Sequence, residues 1–208
     1  MIRQLSFTGQ QEQTLPLAGA RVTYHPEFFP PATADYYFKL LKTALDWQQV
    51  PIVLFGRKLL QPRLIAWYGD AGVAYGYSGN QFQADGWIDP LHEIKNILQQ
   101  RLGIAFNAVL CNLYRDGRDS MGWHSDDEID LGAKPVIAAI SLGATRPFRL
   151  RAKNNSCQSF KLELDHGSLL LMAGDTQQNW QHSLPKIAGY CEPRINLTFR
   201  RLPAPARQ

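Results

Sequence analysis

The stretch Asn112 to Glu128, NLYRDGRDSMGWHSDDE, holds the residues best spaced for chemistry. His124 and Asp126 are two residues apart. On an extended strand that spacing puts both side chains on one face. There an imidazole and a carboxylate can take adjacent positions on one metal ion. A second histidine from a distant strand would complete the set that holds non-haem Fe(II) and leaves positions open for a co-substrate and oxygen. His182, in the strand-like piece Gln181-His182-Ser183 after Trp180, is the candidate. His25 adjoins Pro26, His92 falls in a helical pattern and His166 in a DHG turn, contexts less suited to a ligand.

Two further segments carry polar residues where a purely structural core would not need them. Asn112 and Tyr114 share one strand face, while Val109, Cys111 and Leu113 share the other. Both Asn and Tyr can donate hydrogen bonds to a carboxylate. From Arg194 to Arg200 the alternation is strict: Ile195, Leu197 and Phe199 face one way, and Arg194, Asn196, Thr198 and Arg200 the other. If the polar face meets water, nothing about it is unusual. If it points into a barrel, two guanidinium groups are buried together, which is costly unless anions neutralise them. A dicarboxylate suits such a site, one carboxylate to each arginine. His-x-Asp alone also fits a surface histidine beside an acidic run. The order of the three features on a β-rich chain is what gives them weight together.

Strands must place these residues, and from 104 onward the chain is strand-like. The expected strands are 106–114, 135–143, 147–152, 159–164, 168–173, 180–184 and 193–201, a pattern that suggests a sandwich or barrel. Residues 1–20 are polar and expected to be loosely held, and Arg21 to Phe29 suggests a short strand and turn. Thr33 can cap a helix over 34–48 with Tyr37, Leu40, Leu41 and Ala44 on one face. Asp89 and Pro90 open a second helix, striped by Leu91, Ile94, Ile97 and Leu98 and ended by Gly103. Helices before strands give an α+β chain, mainly β, with helices packed outside a β core.

Between the helices, Val50 to Tyr77 is broken by Pro51, Gly56, Pro62, Gly69, Gly72 and Gly76, which suits hairpins and a lid. Phe55 falls at a hairpin tip with Arg57, Lys58 and Arg63 close behind. An apolar wedge flanked by cations can enter a base stack and hold its phosphates; a buried Phe in an ordinary hairpin fits as well. Tyr75 and Tyr77 share a face and could stack on an extruded base or be half-buried strand residues.

The totals set bounds. At 208 residues, 45% hydrophobic and 19% charged, the chain suits one globular domain. A net charge of +4 suits a polyanionic partner without requiring one. Cys111, Cys157 and Cys191 form no CxxC pair, and the odd count argues against a disulfide framework. No run has the length of a signal peptide core or a membrane span. A cytoplasmic monomer is expected.

At these residues the sequence resembles the AlkB family of Fe(II)- and 2-oxoglutarate-dependent dioxygenases, over roughly Val50 to Arg201. The resemblance is carried by Asn112-x-Tyr114, His124-x-Asp126, the W-x-H-S-L stretch with His182, and RINLTFR at 194–200, similar to the family's RxNxTxR. YGDAGVAYGYSG at 68–79 looks like the lid of members acting on duplex DNA, and Phe55 stands where those carry a finger residue. The resemblance implies a double-stranded β-helix (jelly-roll) core at about 104–201, N-terminal supporting helices and a hairpin lid at about 50–85, in one domain spanning 1–208. It implies that His124, Asp126 and His182 bind Fe(II), and that Asn112, Tyr114, Arg194, Asn196, Thr198 and Arg200 line a 2-oxoglutarate site. Which arginine takes which carboxylate stays open. Phe55, Arg63, Tyr75, Tyr77, Ser78 and Glu128 would meet substrate, with Tyr77 and the His124 ring sandwiching the damaged base and Glu128 near its edge. With O2, the implied reaction is oxidative demethylation of 1-methyladenine and 3-methylcytosine in DNA. The alternatives are the same chemistry on RNA or a protein side chain, and a β-barrel that binds nucleic acid without catalysis.

Overall fold

The structure is a computed structural model that describes residues 2–5, 11–54, 57–77, 80–84, 86–155 and 157–203. In chain order the elements are β1 (Ile2–Gln4), β2 (Gln13–Thr14), β3 (Arg21–His25), α1 (Pro31–Ala44), β4 (Pro51–Leu54), β5 (Arg57–Leu60), β6 (Leu64–Gly69), β7 (Ala74–Tyr77), β8 (Asn80–Gln83), α2 (Asp89–Leu102), β9 (Ala108–Tyr114) and β10 (Met121–His124). A 3-10 turn (Ile129–Leu131) follows, then β11 (Ile137–Gly143), β12 (Arg146–Ala152), β13 (Ser159–Leu164), β14 (Leu169–Ala173), the one-turn α3 (Thr176–Asn179), β15 (Trp180–Leu184) and β16 (Arg194–Arg200). All seven strands expected after residue 104 are present, two with the expected ends and the others with ends shifted by at most two residues.

The alternation of these strands resolves into two sheets. The larger runs β2-β3-β14-β11-β16-β9-β6 and the smaller β1-β13-β12-β15-β10, while β4–β5 and β7–β8 each stand as a separate two-stranded hairpin. This is a jelly-roll core. Its central strands β9 and β16 are apolar on one face and mixed on the other. Val109, Cys111 and Leu113 of β9, with Ile195, Leu197 and Phe199 of β16, pack against Tyr37 and Leu41 of α1 and Leu91, Ile94 and Leu98 of α2. Each such side chain, fully buried, stabilises the fold by about 1.5–3 kcal/mol. Cys111 is fully buried here, and burial pushes its thiol well above the usual range. A second core fills the space between the sheets, built from Leu150, Leu162, Leu164, Leu170 and Met172 among others.

Three local expectations are corrected. Helix α1 starts at Pro31, not after a Thr33 cap, because proline supplies the first-turn φ without needing a hydrogen-bonded N–H. It ends at Ala44, which is exposed, so its buried stripe is Ala34, Tyr37 and Leu41. In α2, Asp89 lies in the first turn, where its charge favours the helix N-terminus, and Ile88 is the N-cap. Gly103 closes that helix at φ +67°, a conformation that costs glycine little. The third correction is N-terminal. Residues 2–5 and 11–20 are not loosely held: β1 pairs in parallel with β13, β2 pairs with β3, and Leu5, Leu15 and Leu17 are buried in the second core. No helix among the described residues is long and apolar enough to cross a membrane.

Candidate metal and co-substrate site

Strands β10 and β15 are antiparallel neighbours, and their register sets His124 directly opposite His182. The two rings lie 4.1 Å apart between centroids. Asp126 reaches the same point by a different route from the one its spacing suggested. The strand ends at His124, so Asp126 is on irregular chain. Its N–H donates to Gln177 Oε1 of α3 at 2.9 Å, and Ser125 donates to the Trp180 carbonyl, which together turn the carboxylate inward. One ligand atom from each of His124, Asp126 and His182 lies within 4.8 Å of the others. The His124 Nδ1–H donates to the Gly122 carbonyl at 2.9 Å, which leaves Nε2 as the lone-pair nitrogen, 3.7 Å from Asp126. His182 is 6% exposed and stacks on Phe148.

Burial lowers His182 to about 3, the neighbouring His124 and Arg200 adding to the effect against Asp126. His124 is lowered too, by burial first, with Asp126 opposing. For Asp126 burial pulls upward, but the Arg200 guanidinium, 2.9 Å away, together with His182 and His124 outweighs it and holds the carboxyl below the usual range. The cluster therefore offers two neutral imidazoles and one carboxylate, the donor set and protonation state that suit Fe(II).

A pH dependence follows. His182 stays neutral in the fold, whereas in the unfolded chain it takes up a proton below about 6.5, so its contribution to stability is intact above that pH and lost as pH falls. The slope is about 1.4 kcal/mol per pH unit for one such histidine. The urea midpoint of the metal-free protein is expected to drop from pH 7 to 5, and His182→Ala to flatten the profile by close to one proton. An unchanged profile in that variant would show that His182 is not held neutral.

The mixed faces of β9 and β16 meet the triad. Arg194 pairs in register with Tyr114 and Asn196 with Asn112. Asn112, Tyr114, Arg194, Asn196, Thr198 and Arg200 line one cavity with the three ligands, closed by an apolar wall that includes Leu110, Phe148 and Met172. The two arginines are not equivalent. Arg200 is ion-paired to Asp126 at the metal end. Arg194, at the other end of β16, is 1% exposed, and its Nη2 donates to the Ser141 hydroxyl at 2.9 Å and to Asn196 Oδ1 at 3.0 Å. Its Nε has no hydrogen-bond partner among the described residues, and its guanidinium sits 5.4 Å from the Tyr114 ring. Burial lowers it to about 10. A buried cation held by neutral groups alone is a receptor for an anion.

The other expected residues fare differently. Arg63 is 3% exposed and donates to Asn112 Oδ1 at 2.8 Å, so it braces the cavity wall and does not stand at the surface ready for a phosphate. Glu128 is half-buried, two residues beyond Asp126 at the start of the 3-10 turn. Phe55 and Ser78 lie outside the described residues. Tyr75 and Tyr77 lie on β7, paired with Phe82 and Asn80, and their side chains are likewise outside the description. Ser141 and Gln177 hydrogen-bond residues of the site, Arg146 lies 5.8 Å from the Tyr114 ring, and none of the three was foreseen. For Arg146 a signal existed: it shares the parity of Phe148, Leu150 and Ala152, so once β12 starts one residue earlier it must point inward.

Comparison with known proteins adds to this geometry. The model of the 2OG-Fe(II) oxygenase superfamily matches residues 21–200. The chain is 41% identical over 194 residues to human alpha-ketoglutarate-dependent dioxygenase alkB homolog 3, covering 89% of this chain and 67% of that protein. It is 38% identical over 184 residues to human DNA oxidative demethylase ALKBH2, covering 84% and 70% respectively. The solved structure of OsALKBH1 superposes with a TM-score of 0.67 at 16% identity, over 92% of this chain and all of that one, a likeness of fold.

Proposed function

Since the chain belongs to the AlkB family of the 2OG-Fe(II) oxygenases, and so is a dioxygenase dependent on Fe(II), 2-oxoglutarate and O2, we propose that it demethylates N-alkylated bases, 1-methyladenine and 3-methylcytosine, in DNA. One observation carries this reading: a two-histidine, one-carboxylate cluster shares a cavity with a buried arginine that has no carboxylate partner among the described residues. The name of a relative, a DNA oxidative demethylase, supports the polymer.

His124, Asp126 and His182 would hold the iron. Arg200, beside Asp126, would take the 2-oxoglutarate carboxylate at the metal end and Arg194 the far one, with Tyr114, Asn112, Asn196 and Thr198 as hydrogen-bonding neighbours; the ion pair of Arg200 and the cavity they share support this. Bound iron with O2 would supply the oxidation that turns 2-oxoglutarate into succinate and CO2 and hydroxylates the N-methyl carbon; that carbon would then leave as formaldehyde, the hydroxyl proton passing to solvent and the N–C bond pair returning to the base nitrogen as its lone pair. The protein's part is to bind, orient and exclude. Leu110, Phe148 and Met172 keep water from the co-substrate chain, and Phe148 stacked on His182 fixes that ring. In this reading residues 1–208 are one domain. Its catalytic core is at about 104–201, and a lid at about 50–85 presents a flipped base through Phe55, Tyr75, Tyr77 and Ser78, with Glu128 at the base edge. A base methylated on its pairing edge is already weakly paired and costs less to extrude.

The test is mass spectrometry of a duplex with one 1-methyladenine, incubated with protein, Fe(II), ascorbate and 2-oxoglutarate. Loss of one methylene mass, dependent on iron and 2-oxoglutarate, is expected. Succinate formed with no change in the DNA would mean another substrate, and methylated RNA assayed in parallel would identify one. Neither change in iron-loaded protein would favour a binding module.

A further inference from the structure

Strand β10 is a weak support for a metal ligand. It is four residues long, sits at the edge of the smaller sheet, and pairs with β15 only at Met121↔Leu184 and His124↔His182, with a register shift between them. A ladder this short and irregular does not by itself hold two histidine rings in a fixed relation. Arg146, on β12 at the other edge of β15, ties the two strands together at one end of their ladder. Fully buried, it donates from Nη1 to the Asp116 carbonyl at 3.1 Å, and from Nη2 to the Asp119 carbonyl at 2.9 Å and the Pro185 carbonyl at 2.8 Å. Asp116 and Asp119 belong to the loop that leads into β10, and Pro185 is the first residue after β15. One rigid guanidinium fork thus clamps the chain entering β10 to the chain leaving β15, at the Met121–Leu184 end of the ladder that carries the His124–His182 pair. The loop is held close by other means as well. Ile187 donates to the Gly117 carbonyl, and a Cβ on Gly117 would come within 2.7 Å of the Ile187 oxygen. The loop itself is closed by the Arg115–Asp119 ion pair.

We propose that Arg146 is a positioning residue for the metal site, fixing the β10–β15 register so that His124 and His182 present their nitrogens to one ion. This rests on the metal assignment above. A lysine carries the same charge but donates from a single point, so it cannot span three carbonyls.

The experiment measures Fe(II) affinity by anaerobic equilibrium dialysis for wild type, His182→Ala, Arg146→Met and Arg146→Lys, together with amide hydrogen exchange of the metal-free proteins. Arg146→Met is expected to weaken Fe(II) binding about tenfold and Arg146→Lys about fivefold, on the scale of losses seen when outer-shell partners of a metal site are removed. Exchange at Met121–His124 is expected to quicken in both variants while Ile137–Leu142 stays protected. General destabilisation would quicken both segments together, and that result would overturn the proposal. So would Fe(II) affinity within twofold of wild type in either folded variant. If Arg146→Met does not fold, Arg146→Lys decides. Wild type binding Fe(II) no more tightly than His182→Ala would instead remove the metal assignment, and this proposal with it.

Discussion

Replacing His182 by alanine is expected to abolish turnover, by roughly a thousandfold or more, because loss of a metal ligand costs more than loss of the outer-shell partners that already cost about 10–100-fold. The same change should leave the fold intact. Among the described residues the His182 side chain makes no hydrogen bond; its ring stacks on Phe148 and meets the His124 ring edge-on. Removing a histidine that the fold must keep neutral also removes a liability at low pH. Loss of activity should therefore come with loss of Fe(II) binding in dialysis and with a urea midpoint at pH 5.5 no lower than that of wild type. An active variant would show that the third ligand is elsewhere. Asp126→Ala is a poorer probe, since it strips Arg200 of its ion pair and confuses ligation with stability.

Arg194→Met should weaken 2-oxoglutarate binding by about 3 kcal/mol, roughly a hundredfold, the scale on which losing one partner of a buried ion pair is felt. The free protein should respond in the opposite sense. Arg194 is buried with neutral partners, a guanidinium Nε without one, and an affinity for its proton reduced by burial. A methionine of similar length relieves that cost, so the variant without co-substrate should be at least as stable as wild type. The check is thermal unfolding with and without 2-oxoglutarate, using Mn(II) as an inert metal. Wild type should be stabilised by the co-substrate and Arg194→Met should not. Equal stabilisation of both would move the anion site away from Arg194.

The strands from Ala108 onward were legible because each runs long enough for period-two alternation to show, and because β9 and β16 keep unlike residues on their two faces. Parity alone put Asn112 with Tyr114 on one face, and the RxNxTxR residues on one face; that these faces point inward came only with the fold. Other features depended on contacts distant in sequence. Asp126 leaves the strand because Gln177, brought close only by the fold, takes its N–H. Arg63 looked like a surface cation beside a hairpin, and only its pairing with Asn112 on the neighbouring strand shows it to be interior. The N-terminal residues looked loose because two- and three-residue strands are too short to carry a pattern, and their order comes from pairing with β13 and β3.

Strands β9 and β16 are buried on both sides, by the helices on one and by the cavity on the other. A change of volume on either side is transmitted through the backbone to the other, so the co-substrate end of this protein has little freedom to vary. The hairpins β4–β5 and β7–β8 are under no such constraint, each closing its own ladder without sharing a strand with the core sheets. The molecule is in that sense divided for evolution and for engineering. If these hairpins are the lid proposed above, an exchange of residues 51–60 or 74–83 with those of a relative would retune what is presented to the iron and leave the oxidative machinery behind it unchanged.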